Sequence, residues 1–221
     1  MTAQSPGPVG HRTAQAVVAE MLRTEILSGR MPSRTRLLQS EIAERFATST
    51  TPVREALRQL VGEGLLDGDP HRGVTVHEIS LGELEEIYEI RLRLEPLAME
   101  ATVANITDDD LEAARSLIDA MEAEQDPAAW TELNARFHAL LAGSSGRTRL
   151  SGILTSLRNL SALYIVRSLQ GMPDRIRAGN HEHRQLVAAI EDGDVARAQE
   201  LELLHLRHTL EIGEMQLRAE A

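Results

Sequence analysis

The chain has 221 residues and no Cys, and its 23 basic residues, all Arg, face 34 Asp and Glu for a formal net charge of −11. These numbers exclude a disulfide-stapled scaffold and leave room for two modest domains. No charged and apolar leader opens the chain and the longest apolar run is Leu160 to Val166, so neither a signal peptide nor a membrane span is expected, and the protein is read as cytoplasmic.

The charge is unevenly spread. Nine Arg offset nine acidic residues up to Glu78, so the entire excess of −11 falls downstream. Only the first portion is suited to an anionic partner, and DNA would be repelled by the second. A neutral domain also implies modest affinity per subunit, which a dimer with two half-sites would raise.

In chain order, residues 1–10 are predicted to be disordered. A helix follows over Ala16 to Leu27, and then a short helix for which Ser40 is the expected cap, with Ile42, Ala43 and Phe46 facing inward. Ala47 to Thr50 make a turn into a second helix, with Thr51 as N-cap and Pro52 at the first helical position. Val53, Ala56, Leu57, Leu60 and Val61 recur at helical spacing as a buried stripe, and Arg54 and Arg58, four apart, share the opposite face. This is the layout of a helix-turn-helix whose second helix approaches base edges with its N-terminal residues. Ser49, Thr50, Thr51 and Arg54 are therefore candidates for base contact, and Arg58 for phosphate. Leu65, Leu66, Val74 and Val76 flank the turn formers Gly68-Asp-Pro-His-Arg-Gly73, which predicts a two-stranded wing presenting His71, Arg72 and Gly73 at its tip.

The segment Pro52-Val-Arg-Glu-Ala-Leu57, with the preceding helix, Ile26, Gly29 and Pro32, resembles the GntR family of bacterial transcription regulators over roughly residues 12 to 77. The resemblance implies operator binding. Two positions depart from it: Thr50 and Ser40 stand where many members have arginine. Each missing guanidinium removes a bidentate guanine contact of about 1–3 kcal/mol of discrimination, so a different operator is expected.

Beyond Glu78, Pro and Gly only punctuate long segments of helical periodicity. Six helices are predicted: Leu81 to Ala104; one opening at Thr107; one opening at Asp126-Pro127 and closed by Gly143-Ser-Ser-Gly146; Thr148 to Leu169; one from Pro173 to near Gly193; and one capped by Asp194 that reaches past Met215. The fold is therefore mainly α. A winged helix-turn-helix over residues 11–78 precedes an all-α six-helix bundle over residues 79–221.

His183 shares a stripe with Ile176, Val187 and Ile190; His205 shares one with Ala198, Leu201 and Ile212; His138 lies beside Phe137 and Leu141. Any one of them alone reads best as a core or interface histidine. Three on separate helices, all inward, shift the balance towards a metal site for Zn, Ni, Mn or Fe, with Asn134 one turn before His138 as a fourth ligand. His181 and His208 are expected to point elsewhere, with a supporting role left open. No phosphate loop, nucleophile elbow or carboxylate pair stands out, and Tyr88, Trp130 and Tyr164 read equally as core or pocket wall.

This half resembles the FCD domain of the fatty-acid-regulator subgroup of the same family, through Asn134-Ala-Arg-Phe-His138, Glu182-His183, and His205 after Gly193-Asp194. The resemblance implies a divalent metal held by one Asp and three His, with a small organic acid completing the coordination; here Asn134 replaces the Asp. It also marks Arg91 as partner of the effector's carboxylate, although Arg91 also reads as a helix-face partner of Glu95.

The combined expectation is a homodimeric, effector-controlled transcription regulator, read as a repressor, that is not an enzyme. The competing class is a metal-dependent enzyme with an accessory DNA-binding domain, disfavoured because no inward Glu or Asp is evident beside the histidines as a general base. An all-α regulator of the tetracycline-repressor type is excluded by the predicted hairpin.

Overall fold

A computed structural model describes residues 13–69, 71, 73–169 and 172–220, and these form nine helices and three strands. The segment expected to be disordered, residues 1–10, lies outside them, as does Arg72.

The N-terminal part comprises α1 (Ala14–Leu27), β1 (Arg36–Leu37), α2 (Gln39–Arg45), α3 (Thr50–Gly62), β2 (Leu66–Asp69) and β3 (Gly73–Val76). Thr13 caps α1 by accepting from the Ala16 amide at 3.2 Å. The caps expected in the helix-turn-helix are shifted. Leu38, not Ser40, precedes α2, and Ser49, not Thr51, precedes α3; neither makes a side-chain cap bond. Pro52 accordingly sits in the third position of α3, still within the first turn, where its missing N–H leaves no intrahelical bond unmade. The turn between the helices passes through Ala47 at φ 47°, a left-handed conformation for a residue with a Cβ.

The wing is a three-stranded antiparallel sheet in the order β1-β3-β2, so the predicted hairpin gains a strand. Arg36 pairs with Thr75, and the hairpin register runs from Leu66 opposite Val76 to Asp69 opposite Gly73. At two residues, β1 is too short to show the period-2 alternation that betrays a strand. Val18, Leu22, Ile26, Val53, Leu57, Leu60, Leu66, Val74 and Val76 close one apolar core, with Val61 only partly buried against it.

The bundle comprises α4 (Leu81–Asn105), α5 (Asp108–Ala123), α6 (Pro127–Ser144), α7 (Thr148–Ser168), α8 (Pro173–Glu191) and α9 (Val195–Glu220). Its boundaries are chemical. Thr107 and Asp110 form a reciprocal capping box on α5, Asp126 caps α6 with Pro127 at its first position, and Asp194 accepts from the Arg197 amide at 3.0 Å at the start of α9. One core gathers Ile118, Met121, Phe137, Leu141, Leu186 and Val187, and a second gathers Leu84, Ile87, Tyr88, Tyr164 and Leu206. No helix of the described residues is long and apolar enough to cross a membrane.

The two halves meet along α1, α6 and α7. Leu163 of α7 packs against the winged core. A Cβ on Gly64, which sits at φ 77°, would come 2.9 Å from a δ-methyl of Leu160, so the short loop after α3 is glycine for both conformation and space. Arg30 and Glu132 form an ion pair across the seam.

Candidate effector and metal centre

Three helices of the bundle each deliver one imidazole to a common point. His138 of α6, His183 of α8 and His205 of α9 offer nitrogens that all lie within 4.8 Å of one another. Their rings stand 4.8–5.4 Å apart, and Phe137 and Trp130 wall the group on one side. His183 is 1 % exposed, and neither of its nitrogens has a hydrogen-bond partner among the described residues. Burial pushes the His183 and His138 imidazoles well below the ordinary histidine range, and the neighbouring imidazoles push the same way. Both are therefore neutral near pH 7, with a free lone pair each. The buried Oδ1 of Asn134 is likewise without a partner, and Asn134 shares with His138 and His205 the wall of one cavity.

Glu182 braces this group. Its carboxylate accepts from His205 Nδ1 at 2.6 Å, His208 Nδ1 at 2.8 Å and both terminal nitrogens of Arg175 at 2.9 and 3.1 Å. Burial works to raise the Glu182 pKa, but the bonds from His205 and Arg175 outweigh it and hold it below the usual carboxylate range. Fixing the proton of His205 on Nδ1 leaves Nε2 as the free donor atom, the arrangement in which a carboxylate orients a ligating histidine. Neutral imidazoles, an uncommitted amide oxygen and a braced third histidine fit a divalent transition metal.

The expectation that no acidic side chain lies inward beside the histidines is overturned. Besides Glu182, the carboxylates of Glu95 and Glu202 are each 1 % exposed. Glu95 accepts from Arg158 at 3.1 and 2.5 Å and from Arg91 at 3.3 Å, so the helix-face pairing of Arg91 and Glu95 forms, but inside the protein. Arg91 also donates to Ser161 at 3.2 Å, and Arg158 to the His138 carbonyl at 3.1 Å. Both oxygens of Glu202 lack partners among the described residues; burial, and then the charge of Glu95, raise its pKa. Of the remaining histidines, His208 joins Glu182, while His181 is exposed. Tyr88 and Trp130 are both core and wall; the Trp130 indole donates to Asn180 at 3.0 Å.

A cavity of about 390 Å³ opens beside the histidines, within the size range of small-molecule sites. Tyr88, Arg91, Asn134, His138, Arg158, Ser161 and His205 line its bundle side. Histidine spacing along the helices pointed to this site. Arg158 carried no such signal, because its partners Glu95 and His138 are distant in sequence, and Glu202 has no partner among the described residues to betray it.

At the other end of the molecule, Ser49, Thr50 and Thr51 are exposed at the start of α3, and the Arg54 side chain is 35 % exposed. Arg58 is more open, pairs with Glu55 at 3.0 Å and reaches His71 Nε2 at 3.4 Å, which ties α3 to the wing. Asp69 accepts from the His71 amide at 2.8 Å in the wing turn, and Gly73 follows at φ 120°. Arg36 of β1, exposed beside Gly73, joins this face unforeseen.

The model of bacterial regulatory proteins of the gntR family matches residues 14–76, and that of the FCD domain matches residues 86–208. BphR of Paraburkholderia xenovorans (strain LB400), an uncharacterized HTH-type transcriptional regulator, is 30% identical over 227 residues, covering 94% of this chain and 89% of that one. The HTH-type transcriptional repressor GlaR of Escherichia coli (strain K12) is 29% identical over 199 residues, covering 84% and 89%. The structure of E. coli McbR/YncC superposes with a TM-score of 0.83 over 93% of this chain and 99% of that one, at 24% identity, and so shares the fold. These matches leave the metalloenzyme reading without support. The chain belongs to the GntR family of bacterial transcription regulators, in the group that joins a winged helix-turn-helix to an FCD domain, and it is not an enzyme.

Proposed function

We propose that the protein is a homodimeric repressor whose bundle binds a small organic acid together with a divalent metal. The observation that carries this reading is the convergence of three histidines, two of them neutral and one braced by Glu182, with His138 and His205 opening onto a cavity that also presents Arg91. Asn134, His138, His183 and His205 would hold the metal, which when bound supplies a fixed positive charge for a carboxylate. Arg91 would take the same carboxylate: it lines the cavity, and its bonds to Glu95 and Ser161 are long, at 3.2–3.3 Å.

On the DNA side, Ser49, Thr50, Thr51 and Arg54 would meet base edges, and Arg58 with His71, Arg72 and Gly73 of the wing would meet backbone. The repressor role follows the one printed for GlaR. The dimer reading is supported by exposed Ile90 and Leu97, one heptad apart on α4. The effector acts by binding unequally to two placements of the winged domains.

The test is a mobility-shift titration of the metal-loaded protein on its own upstream region against random duplex, with and without candidate acids. Arg54→Ala should weaken specific binding about 5- to 100-fold, the worth of one base contact. No preference of the parent for its upstream region under any condition would refute the regulator reading.

A further inference from the structure

The bundle does not close the cavity alone. Its outer wall is α1 of the winged domain, where Glu20, Arg23, Thr24 and Leu27 face the same space as His138 and Arg158. The rim of the cavity is also the seam between the halves, since Glu132 both lines the cavity and pairs with Arg30.

Arg23 has a particular place in that wall. Its Nε and Nη2 donate to the Glu63 carboxylate at 2.9 and 2.6 Å, and its Nη1 donates to Glu20 at 2.5 Å. Glu63 is the C-cap residue of α3 and also accepts from Gln59, in the last turn of that helix, at 2.8 Å. A guanidinium facing the cavity is therefore bonded to the end of the helix whose start carries Ser49 to Arg54.

We propose that α1 is part of the effector site, and that Arg23 reads the end of the ligand remote from the histidines. This rests on the reading of the cavity as the effector site. The ligand class that fits is an elongated carboxylic acid with a second hydrogen-bond acceptor or anionic group at its opposite end. Such a group competes with Glu63 for a charge-assisted fork, and so alters the tie between α1 and α3. A short acid confined to the histidine end makes no such contact and gains no differential affinity by this route.

The test needs no knowledge of the ligand, because the chain has no Cys. Ala139, on the cavity wall, is replaced in the full-length protein by Ala139→Cys, and the folded protein is treated with N-phenylmaleimide as a covalent filler. Asp192→Cys, on an exposed cap away from the cavity, is the control. Amide hydrogen exchange of α1 and of the last turn of α3 should change at least about fivefold on modification of Ala139→Cys, the low end of coupling between linked sites, and should not change in the control. Adding Arg23→Gln should leave the α1 response and abolish the α3 response. Unchanged α1 exchange, a thiol at 139 that does not react while the protein is folded, or an α3 response that persists without Arg23 would each overturn the proposal. Because exchange is read without DNA, failure of operator recognition and failure of this contact remain separate outcomes.

Discussion

Glu202 illustrates how a single carboxyl sets a pH preference. Its pKa is raised by burial and then by the nearby Glu95. A raised carboxyl favours the fold below its unfolded pKa of 4.5 and withdraws that contribution as the pH climbs through the folded value. Glu202→Gln keeps the shape without the titration, so its thermal midpoint should exceed that of the parent at pH 7.5 by about 2–4 °C, equivalent to about 1 kcal/mol in a chain of this length, and the gap should close towards pH 4.5. Asn134 makes the complementary case. Its amide oxygen supplies no charge, so Asn134→Asp should retain metal at least about tenfold better through dialysis, measured by elemental analysis, because each added anionic ligand strengthens a divalent site. His138, His183 and His205 were legible because periodicity alone turns a side chain inward. Glu95 and Arg158 were not: their pairing spans 63 positions, and no local rule connects them.

Among elements, the helices of the bundle were readable to within a residue or two, since Thr107, Asp126 and Asp194 cap them with side-chain bonds. The caps of the helix-turn-helix were displaced by two positions because its helices start without such bonds, and the signal at Ser40 and Thr51 was compositional. The turn itself stores strain at Ala47. A left-handed residue with a Cβ costs about 1–2 kcal/mol, and glycine recovers that less its greater unfolded entropy. Ala47→Gly should therefore stabilise the winged part by about 0.5–1 kcal/mol in denaturant titration; a loss of stability would show that the turn is not strained.

For the molecule as a whole, His77 joins the parts through charge. Lying between the wing and α4, it places Nδ1 2.9 Å from Asp67 of β2 and Nε2 3.1 Å from Glu83 of α4. Burial lowers its pKa, but the bonds to Asp67 and Glu83 together outweigh burial and leave it above 6.5. The clamp is thus complete below about pH 6.5 and weakens as the pH rises through the folded value. The stability advantage of the parent over His77→Ala should be greatest near pH 6 and shrink by pH 8.5; an advantage independent of pH would rule out the protonated clamp. The charge asymmetry of the sequence already separated a DNA-facing half from an acidic one. It carried nothing about the seam, which is built from apolar and ionic partners far apart in the chain.

Leu163 has a consequence for any attempt to divide this protein. Because Leu163 of the bundle packs on the apolar core of the winged half, and Leu160 covers Gly64 beside it, a fragment severed after Glu78 would bare apolar surface to water there. What looks like a hinged pair of independent modules shares apolar contact at that point, so any change in their placement has to slide Leu160 and Leu163 over the winged half.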